Sequence, residues 1–520
     1  MFGPLTHLFR LARAGRVIAR HKVIPEDHLA EMPPPMRMGY RLAGLGSKPD
    51  GAGNPLAAAL TELGPAYIKL GQFLATRADI VGADRAVELS ELQDRMAPFG
   101  HEAALKEIDA TLGAPWNTFF SEISQPVAAA SIAQVHKART TDGRDVAVKV
   151  LRPDIERNFS SQLDSFFFAA RLAQALTKEG QRLRPVAAVQ TLADSVKIEM
   201  DLRMEAAAIS EMAENTKEDP GFRVPEVDWS RTGRRVLTLE WVNGAPLSDL
   251  NAVREGGHDL EHLGDRVIQS FLRHAIRDGV FHADMHQGNL FVEDDGTLVA
   301  VDYGIIGRLS PKDRMFLAEI LYGFITRNYD RVSQVHFDAG YVPSHQDVAV
   351  FSQALRSIGE PLMDRNADEI SMAKLLGQLF QVTEQFDMQT QPQLLLLQKT
   401  MVVVEGVART LNPRLNMWDA ADPVVRQWIE EKLGPQGRLA DAADGALVLG
   451  KVMGDLPEVL AEAGRTAHML GEMASQGGLR LDAETTQALA AAQARQGWPT
   501  RAALWVGAVA LAVIALNLVW

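Results

Sequence analysis

The stretch of sequence that decides the fold is FHADMHQGNLFVEDDGTLVAVDYG, residues 281–304. Within it an Asp-Gly pair lies between two apolar runs, which is a strong signal for a β-hairpin. Because the second strand of a hairpin folds back over the first, the pattern predicts that Asp302 returns to the side of Asn289. Two oxygen ligands then converge on one point, which suits Mg²⁺. Asp284, five residues before Asn289, is placed to accept a proton from an attacking hydroxyl.

A proton acceptor beside two Mg²⁺ ligands is the arrangement that phosphoryl transfer requires, because the metal neutralises the phosphates while the base prepares the nucleophile. The order of the residues matches a kinase catalytic loop followed by a DFG-like element, here Asp-Tyr-Gly. Two alternatives stay open. His282, Asp284 and His286 could bind a transition metal, or the loop could merely cap helices. Neither alternative explains why Asn289 and Asp302 are both present.

The strand-like segment DVAVKV, residues 145–150, carries a second element of this pattern. Lys149 ends a Val-Ala-x-Lys sequence 135 residues before Asp284, as the phosphate-binding lysine of a kinase would. A kinase also needs a glycine-rich loop shortly before this strand, but PVAAASIAQ at 126–134 contains no glycine. Alanine disfavours the positive φ that glycine permits and keeps the backbone farther from phosphates. Either the chain is no kinase, or its nucleotide loop has been rebuilt.

The composition of the 520-residue chain excludes several classes of function. It has 53 Lys and Arg against 66 Asp and Glu, a net charge of −13, and no cysteine. The absence of cysteine excludes disulfides, thiolate metal sites, Fe–S clusters and cysteine nucleophiles. The acidic balance argues against a general nucleic-acid binder, which would need a basic face.

The organisation of the chain predicts an α+β protein, with a protein-kinase-like two-lobed fold between a helical N-terminal extension and a C-terminal transmembrane helix. We predict five segments, which are a helical extension (1–120), an N-lobe (121–243), a C-lobe (244–433), a helical stalk (434–498) and a membrane anchor (499–520).

The apolar run at the C-terminus, residues 502–520, has 19 residues and one polar side chain, Asn517. As a helix it would span about 28 Å, close to the hydrocarbon thickness of a bilayer. Trp505 and Trp520 lie near its ends, where amphipathic rings favour the membrane interface. A buried core helix is the alternative, but a terminal run without charge favours a single-pass anchor.

The N-terminal segment is basic, with no acidic residue before position 26. Spacings of three and four place its cations on one helical face, apart from most of the apolar residues; these cations are Arg10, Arg13, Arg16, Arg20 and Lys22. Three interpretations stay open. The helix could lie on an anionic membrane surface, pack on the body as a solvated helix, or be a mitochondrial transit peptide.

The chain resembles the UbiB family of atypical kinase-like proteins, which is linked to ubiquinone biosynthesis. The resemblance runs from about residue 25 to 433, plus the apolar tail, although family members commonly carry two C-terminal spans. It rests on five motifs: AAASIAQVH at 128–136, Lys69-Leu70-Gly71-Gln72, LSELQD at 89–94, Glu199-Met200-Asp201, and 405–413.

The resemblance implies ATP and Mg²⁺ as cofactors, with Mg²⁺ held by Asn289 and Asp302 and with Asp284 as proton acceptor. Glu205 is the expected partner of Lys149. ATP is expected to contact the hinge at Glu240 and Val242, Lys149, and the alanine-rich loop, which comprises Pro126, Val127, Ala128, Ala129, Ala130, Ser131, Ile132, Ala133 and Gln134.

The resemblance also implies a regulatory group. Lys69 and Gln72 are three residues apart and share a helical face, so they could meet Glu199 and Asp201. The alternative for Lys69 and Glu199 is a surface ion pair of little energetic value.

The segment after Gly304 is short. Ser310 and Pro311 read as the N-cap and first residue of a helix, which leaves about five residues where a protein kinase has a long activation segment. The platform for a peptide substrate is therefore missing, and we expect ATP hydrolysis or a small or lipid substrate.

Together with the family resemblance, which implies a role in ubiquinone biosynthesis, these observations predict a membrane-anchored atypical kinase or ATPase that supports this pathway. Its catalytic body is expected on the cytoplasmic side of the inner membrane. Expected partners are membrane lipids, polyprenylated quinone precursors and other ubiquinone-biosynthesis enzymes, but no nucleic acid; a homodimer stays open. The alternatives are a small-molecule phosphotransferase of the aminoglycoside or choline kinase type, and a non-catalytic pseudokinase scaffold.

Overall fold

The structure is a computed structural model, and it describes residues 4–24, 34–44, 54–75, 96–176, 184–363 and 392–433, with a few single positions between these ranges. The chain divides into two units, Met1–Glu431 and Lys432–Trp520. The predicted stalk and membrane anchor, 434–498 and 499–520, lie outside the described residues. Among the residues that are described, no helix combines the length and apolar character needed to span a bilayer.

Helices dominate the part of the chain before the first strand. Each of the first four begins at a proline, whose fixed φ suits the first turn of a helix. The helices described here are α1 (Pro4–Arg20), α2 (Pro34–Ala43), α3 (Pro55–Leu63), α4 (Pro65–Ala75) and α5 (His101–Leu112).

The strands form three sheets. β1, β2, β3 and β5 make an antiparallel sheet in that order, β4, β9, β8 and β6 make a second sheet, and β7 pairs with β10. The described strands are β1 (Phe120–Ala129), β2 (Ala133–Thr140), β3 (Asp145–Leu151), β4 (Phe222–Arg223), β5 (Val236–Glu240), β6 (Gly244–Pro246), β7 (Val280–His282), β8 (Leu290–Glu293), β9 (Leu298–Ala300) and β10 (Ile306–Arg308).

The first sheet has two different faces. Val146 and Val148 of β3 pack with Ala104 and Ile108 of α5 in a small apolar core. Since side chains alternate along a strand, Lys149 faces the opposite way, toward the second sheet. The sheet therefore separates an outer core from the cleft that Lys149 enters.

The remaining helices lie between β3 and β5 or after β6. They are α6 (Ile155–Leu176), α7 (Pro185–Glu199), α8 (Leu202–Asn215), α9 (Leu250–Glu255), α10 (Leu260–Arg273), α11 (Pro311–Ile325), α12 (Tyr329–Asp338), α13 (Val348–Met363), α14 (Pro392–Leu411) and α15 (Met417–Leu433).

Two local predictions are confirmed. β8 and β9 form the predicted hairpin, with Leu290 opposite Ala300 and Gly296 in the left-handed turn conformation. Ser310 caps α11 through a capping box with Asp313, and Pro311 is the first helical residue. Both features are encoded by a few neighbouring residues, which is why the sequence alone could predict them.

A buried ionic cluster joins the loop after α8 to a π-helical turn, His274–Asp278. Asp219 is buried there, with one carboxylate oxygen 3.1 Å from Nε2 of His274 and the other 2.5 Å from Nη1 of Arg277. Burial alone would raise the pKa of Asp219, but its hydrogen bonds to His274 and Arg277 outweigh this and hold the pKa well below its usual range. The charged carboxylate therefore stabilises the folded state.

Asp219→Asn is expected to lower the free energy of unfolding at pH 7 by about 3 kcal/mol, because it removes the charge from a buried ion pair. A carboxylate with a lowered pKa stabilises the fold above its ordinary pKa of 3.8. The difference in unfolding free energy between wild type and Asp219→Asn should therefore narrow as the pH falls below about 4. Chemical denaturation at pH 7 and near pH 3 measures both effects. Glu122→Gln on the exposed edge of β1 is the control. Equal free energies of unfolding for wild type and variant at neutral pH, or a difference that increases in acid, would contradict this interpretation.

Candidate functional site

Lys149 stands at the centre of the cleft between the two larger sheets. Its Nζ lies 2.9 and 3.0 Å from the two carboxylate oxygens of Glu205 on α8. The same Nζ lies 2.7 Å from Oδ1 of Asp302, which follows β9. One ammonium group therefore joins three parts of the chain that are far apart in sequence.

The two carboxylates around Lys149 are not equivalent. Enclosure alone would raise the pKa of Asp302, but the ammonium of Lys149 outweighs this and holds the pKa well below its usual range. Burial raises the pKa of Glu205 to about 7, against the pull of Lys149. Burial would lower the pKa of Lys149, yet Asp302 and Glu205 together raise it. The pKa of Asp302 is therefore lowered and that of Glu205 is raised, although both carboxylates contact the same ammonium group.

His282 holds the start of the loop 282–289 in place. The ring is buried, its Nε2 is 2.9 Å from the carbonyl oxygen of Val301, and its Nδ1 is 3.1 Å from the backbone nitrogen of Asp284. These partners assign a proton to Nε2 and leave Nδ1 as an acceptor. Burial lowers the pKa of His282, which favours this neutral form. The backbone therefore engages both ring nitrogens of His282. The described parts of the chain contain no cluster of three His, Asp or Glu suited to a metal. The transition-metal alternative therefore loses its support.

The remainder of the loop places Asp284 and Asn289 in a fixed relation. Nδ2 of Asn289 donates to the backbone oxygen of Asp284 at 3.0 Å. The backbone of Asn289 bonds to His286 on one side and to Val301 on the other. The Asp284 side chain is partly exposed to the cleft, with His286 3.8 Å from its Oδ2. The loop therefore presents the Asp284 carboxylate while Asn289 remains buried beside the strand that leads to Asp302.

Asp302 has an unusual backbone conformation. Its φ is +62°, in the left-handed region that only a few per cent of non-glycine residues adopt. Its side chain is 47% exposed, so it opens on the cleft while one oxygen contacts Lys149. Because Nδ2 of Asn289 is used as a donor, Oδ1 of Asn289 and the carboxylate of Asp302 are the oxygen atoms that could take a divalent cation. Oxygen donors of this kind fit Mg²⁺.

A threonine on α14 supports the loop that contains Asp284. Oγ1 of Thr400, in the middle of α14, donates to the backbone oxygen of Ala283 at 3.1 Å. Sequence reasoning missed this residue, because a single threonine inside a helix carries no signal of its own.

The alanine-rich loop is a tightly held hairpin tip. The backbone nitrogen of Ala130 donates to Ala133 at 2.8 Å, and Met96 donates to Ala129 at 3.2 Å. Arg152, just after β3, donates from Nε and Nη2 to the carbonyl oxygen of Ala130 at 3.1 and 2.8 Å. The tip is therefore tied both to the preceding segment and to the end of β3.

The residues predicted to bind the nucleotide lie on two different faces of this hairpin. Val135 lies opposite Lys149, and Ala128 lies opposite Val135, so Ala128 is on the cleft side. Gln134 lies opposite Val150, and its buried side chain accepts a hydrogen bond from the backbone nitrogen of Phe99 at 2.9 Å. The Gln134 side chain therefore points into the outer core, and a nucleotide in the cleft could meet only the backbone of this residue.

The hinge region contains an arginine that the sequence did not reveal. Arg223 of β4 donates to both carboxylate oxygens of Glu240, at 2.9 Å each. It also donates to both oxygens of Glu293 on β8, at 2.8 and 2.6 Å. Glu240 ends β5, and its carboxylate is engaged by Arg223. Arg223 therefore ties the last N-lobe strand to the hairpin that follows Asn289.

Lys69 on α4 forms a buried ion pair with Glu199 at the end of α7. Its Nζ lies 2.5 Å from Oε2, and each side chain is only 9% exposed. The surface-pair alternative is therefore wrong. The positive charge of Lys69 is also among those that lower the pKa of Asp302. Between Lys69 and Gln72, a side chain at Gly71 would overlap Leu92 and Leu60.

Asp201 does not join this pair. Its carboxylate caps α8 by accepting from the backbone nitrogen of Arg203 at 3.2 Å, and it also takes the Arg203 guanidinium at 2.9 and 2.7 Å. Gln72 lies half-buried on α4. Of the four residues expected to form the regulatory group, the structure brings Lys69 and Glu199 together and assigns Asp201 to a helix cap.

Comparison with known proteins gives matches along most of the chain. Residues 91–336 match the ABC1 atypical kinase-like domain, and residues 355–416 match the UbiB helical domain. A probable protein kinase UbiB from Marinobacter nauticus is 39% identical over 441 residues, covering 83% of this chain and 81% of the relative. Its counterpart from Pseudomonas paraeruginosa is 38% identical over 443 residues, covering 82% of each chain.

A solved structure is also similar. It is the complex of Rv3197 with erythromycin from Mycobacterium tuberculosis, at 24% sequence identity and a TM-score of 0.48, with coverage of 73% of this chain and 94% of that chain.

Proposed function

The chain belongs to the UbiB family of ABC1 atypical kinase-like proteins, and on this premise we propose that it is a membrane-anchored enzyme that uses Mg-ATP in support of ubiquinone biosynthesis. The observation that carries the proposal is the double contact of Lys149 with Glu205 and Asp302. A kinase needs this lysine to position phosphates and this aspartate to hold the metal.

The residues proposed to hold the cofactors are those that the sequence and its family resemblance predict. Asp302 and Asn289 would hold Mg²⁺, which when bound neutralises phosphate charge. Lys149 would contact the phosphates, with the alanine-rich loop above them. The backbone of Glu240 and Val242 would receive the adenine at the hinge.

The role proposed for Asp284 is that of a proton acceptor. Its carboxylate opens on the cleft, and its backbone is fixed by His282 on one side and Asn289 on the other. It would take the proton from water or from the hydroxyl of an acceptor as that oxygen attacks. The bond that breaks is the one between the terminal phosphoryl group and ADP.

The acceptor is proposed to be water or a small or lipid molecule rather than a protein. β10 ends at Arg308 and α11 begins at Pro311, so the chain enters a capped helix where a protein kinase presents its peptide platform. The relatives' name is probable protein kinase UbiB, and phosphorylation of other proteins is not part of the function proposed for this chain.

The location and partners are proposed from the sequence. Residues 502–520 would anchor the chain in the inner membrane, with the catalytic body on the cytoplasmic side. Polyprenylated quinone precursors, membrane lipids and other ubiquinone-biosynthesis enzymes are the proposed partners.

Lys69 and Glu199 are proposed to regulate the cleft through charge. The charge of Lys69 competes with a cation at Asp302, so Lys69→Gln should tighten Mn²⁺ binding about threefold to tenfold. It should also lower the free energy of unfolding by about 3 kcal/mol, since Glu199 is left buried without its cation. Paramagnetic relaxation by Mn²⁺ in the presence of ATP measures the affinity.

Glu199→Gln is the matched control for that experiment. It breaks the same ion pair but keeps the charge of Lys69, so it should destabilise the fold without tightening Mn²⁺ binding. If both variants tighten binding equally, loosening of the fold and not charge explains the effect, and the proposed regulation fails.

Quinone analysis tests the biological part of the proposal. A strain that lacks the gene should contain little ubiquinone, the wild-type gene should restore it, and Asp302→Asn should not. A normal ubiquinone level in the deletion strain would reject a role in this biosynthesis.

A further inference from the structure

The two N-terminal helices expose large apolar side chains to solvent. Phe9 is 74% exposed, Leu8 is 49% exposed, and Met38 and Leu42 of α2 are 65% and 57% exposed. Burying such side chains is normally favourable by about 1.5–3 kcal/mol each. Their grouping on two adjacent helices therefore indicates a surface that something else covers.

The opposite side of α1 is already occupied by the body of the protein. His7 stacks on Phe168 of α6 with ring centroids 5.5 Å apart, Arg10 donates to the carbonyl oxygen of Ser161, and Ala14 and Val17 are buried. The sequence had placed Arg10 with the other arginines, but the structure turns it inward. The outward face of α1 consists of Leu8, Phe9, Ala12, Arg13, Arg16 and Arg20.

α2 packs beside the C-terminal end of α1 and exposes apolar side chains of its own. The hydroxyl of Tyr40 accepts a hydrogen bond from the backbone nitrogen of Ile24 at 3.1 Å. Met38, Arg41 and Leu42 are exposed on the same helix. We call six of the exposed residues of the two helices the apolar–basic face; they are Leu8, Phe9, Arg13, Arg16, Met38 and Leu42.

The charge of this region is opposite to that of the chain. The two described segments, 4–24 and 34–44, contain seven Lys and Arg and no Asp or Glu, whereas the whole chain carries −13. Glu62 of α3, which approaches α1, is paired with Arg20 and His21. Arginines beside exposed Leu, Phe and Met form the pattern of a surface that lies in an anionic lipid interface.

We propose that the apolar–basic face of α1 and α2 docks on the anionic surface of a lipid bilayer. This contact is separate from the catalytic proposal and from the predicted anchor at 502–520. The apolar side chains enter the boundary between headgroups and acyl chains, and Arg13 and Arg16 contact the negative headgroups.

A chain without cysteine makes this proposal directly testable. Phe9→Cys and Leu42→Cys each provide one labelling site for an environment-sensitive NBD dye, and Val350→Cys on α13, also an exposed apolar position, is the matched control. The full-length proteins are reconstituted in vesicles of phosphatidylcholine and in vesicles that also contain phosphatidylglycerol. Emission wavelength and quenching by doxyl-labelled lipids report whether the dye enters the bilayer.

The expected result is a blue shift and lipid quenching at positions 9 and 42 in the anionic vesicles, and neither at position 350. Raising the ionic strength from about 0.1 M to about 1 M should reverse the shift, as should the double change Arg13→Gln and Arg16→Gln. A shift of equal size in neutral vesicles, an equal shift at position 350, or no shift at all would each overturn the proposal. A blue shift of the dye emission in detergent that grows with protein concentration would indicate that the face binds a second copy of the chain. That result would also overturn the proposal.

Discussion

Asp302→Asn is expected to abolish measurable binding of Mg-ATP, with a loss in affinity of at least about 100-fold. Removal of even an outer-shell partner of a metal costs about 10–100-fold, and the proposed role of Asp302 is to hold the metal itself. Asn keeps the size of the side chain, and after glycine it is among the residues that best tolerate the left-handed backbone at this position. The φ of +62° therefore survives the change, and the effect isolates the charge.

Equilibrium binding of a fluorescent ATP analogue, with and without Mg²⁺, measures this loss. Asp294→Asn, in the exposed turn of the same hairpin, is the control and should bind as the wild type does. Binding of Mg-ATP by Asp302→Asn with wild-type affinity would remove Asp302 from the metal site.

Asp284→Asn has the second large expected effect, on turnover rather than on binding. The contacts that fix this residue use its backbone, which donates to His282 and accepts from Asn289, so the loop should keep its shape. An amide cannot accept the proton of the attacking oxygen, and loss of a general base typically costs about 10²–10⁴ in rate. The affinity for Mg-ATP should stay within about twofold of wild type.

Single-turnover conversion of bound ATP to ADP separates the two effects. His286→Asn changes the ring that lies 3.8 Å from the Asp284 carboxylate, and it should cost less than about fivefold if the ring only neighbours the base. A turnover rate near wild type in Asp284→Asn would show that another group accepts the proton.

Sequence reasoning succeeded where a feature depends on neighbouring residues. The Asp-Gly turn predicted the β8–β9 hairpin, and Ser310 with Pro311 predicted the start of α11. The hairpin in turn explains why Asp302 could be expected near Asn289. The pairing of Lys149 with Glu205 was chosen by analogy with kinases, since the two residues are 56 positions apart and no local pattern connects them.

Features that depend on register and tertiary packing were missed. The direction of the Gln134 side chain follows from the pairing of β2 with β3, which composition does not reveal. Arg223 lies on a strand of two residues, too short to leave an alternating pattern, yet it joins Glu240 to Glu293. On α1, the helical period defines a basic face, but only the packing of α6 shows that Arg10 belongs to the covered side.

The most direct test of the account compares ADP formation by the wild-type chain, Asp284→Asn and Asp302→Asn, all purified and reconstituted in the same vesicles with saturating Mg-ATP. The account predicts that the wild type forms ADP and that both variants are nearly inactive, with Asp284→Asn alone retaining bound nucleotide. Equal rates of ADP formation in all three proteins would contradict it.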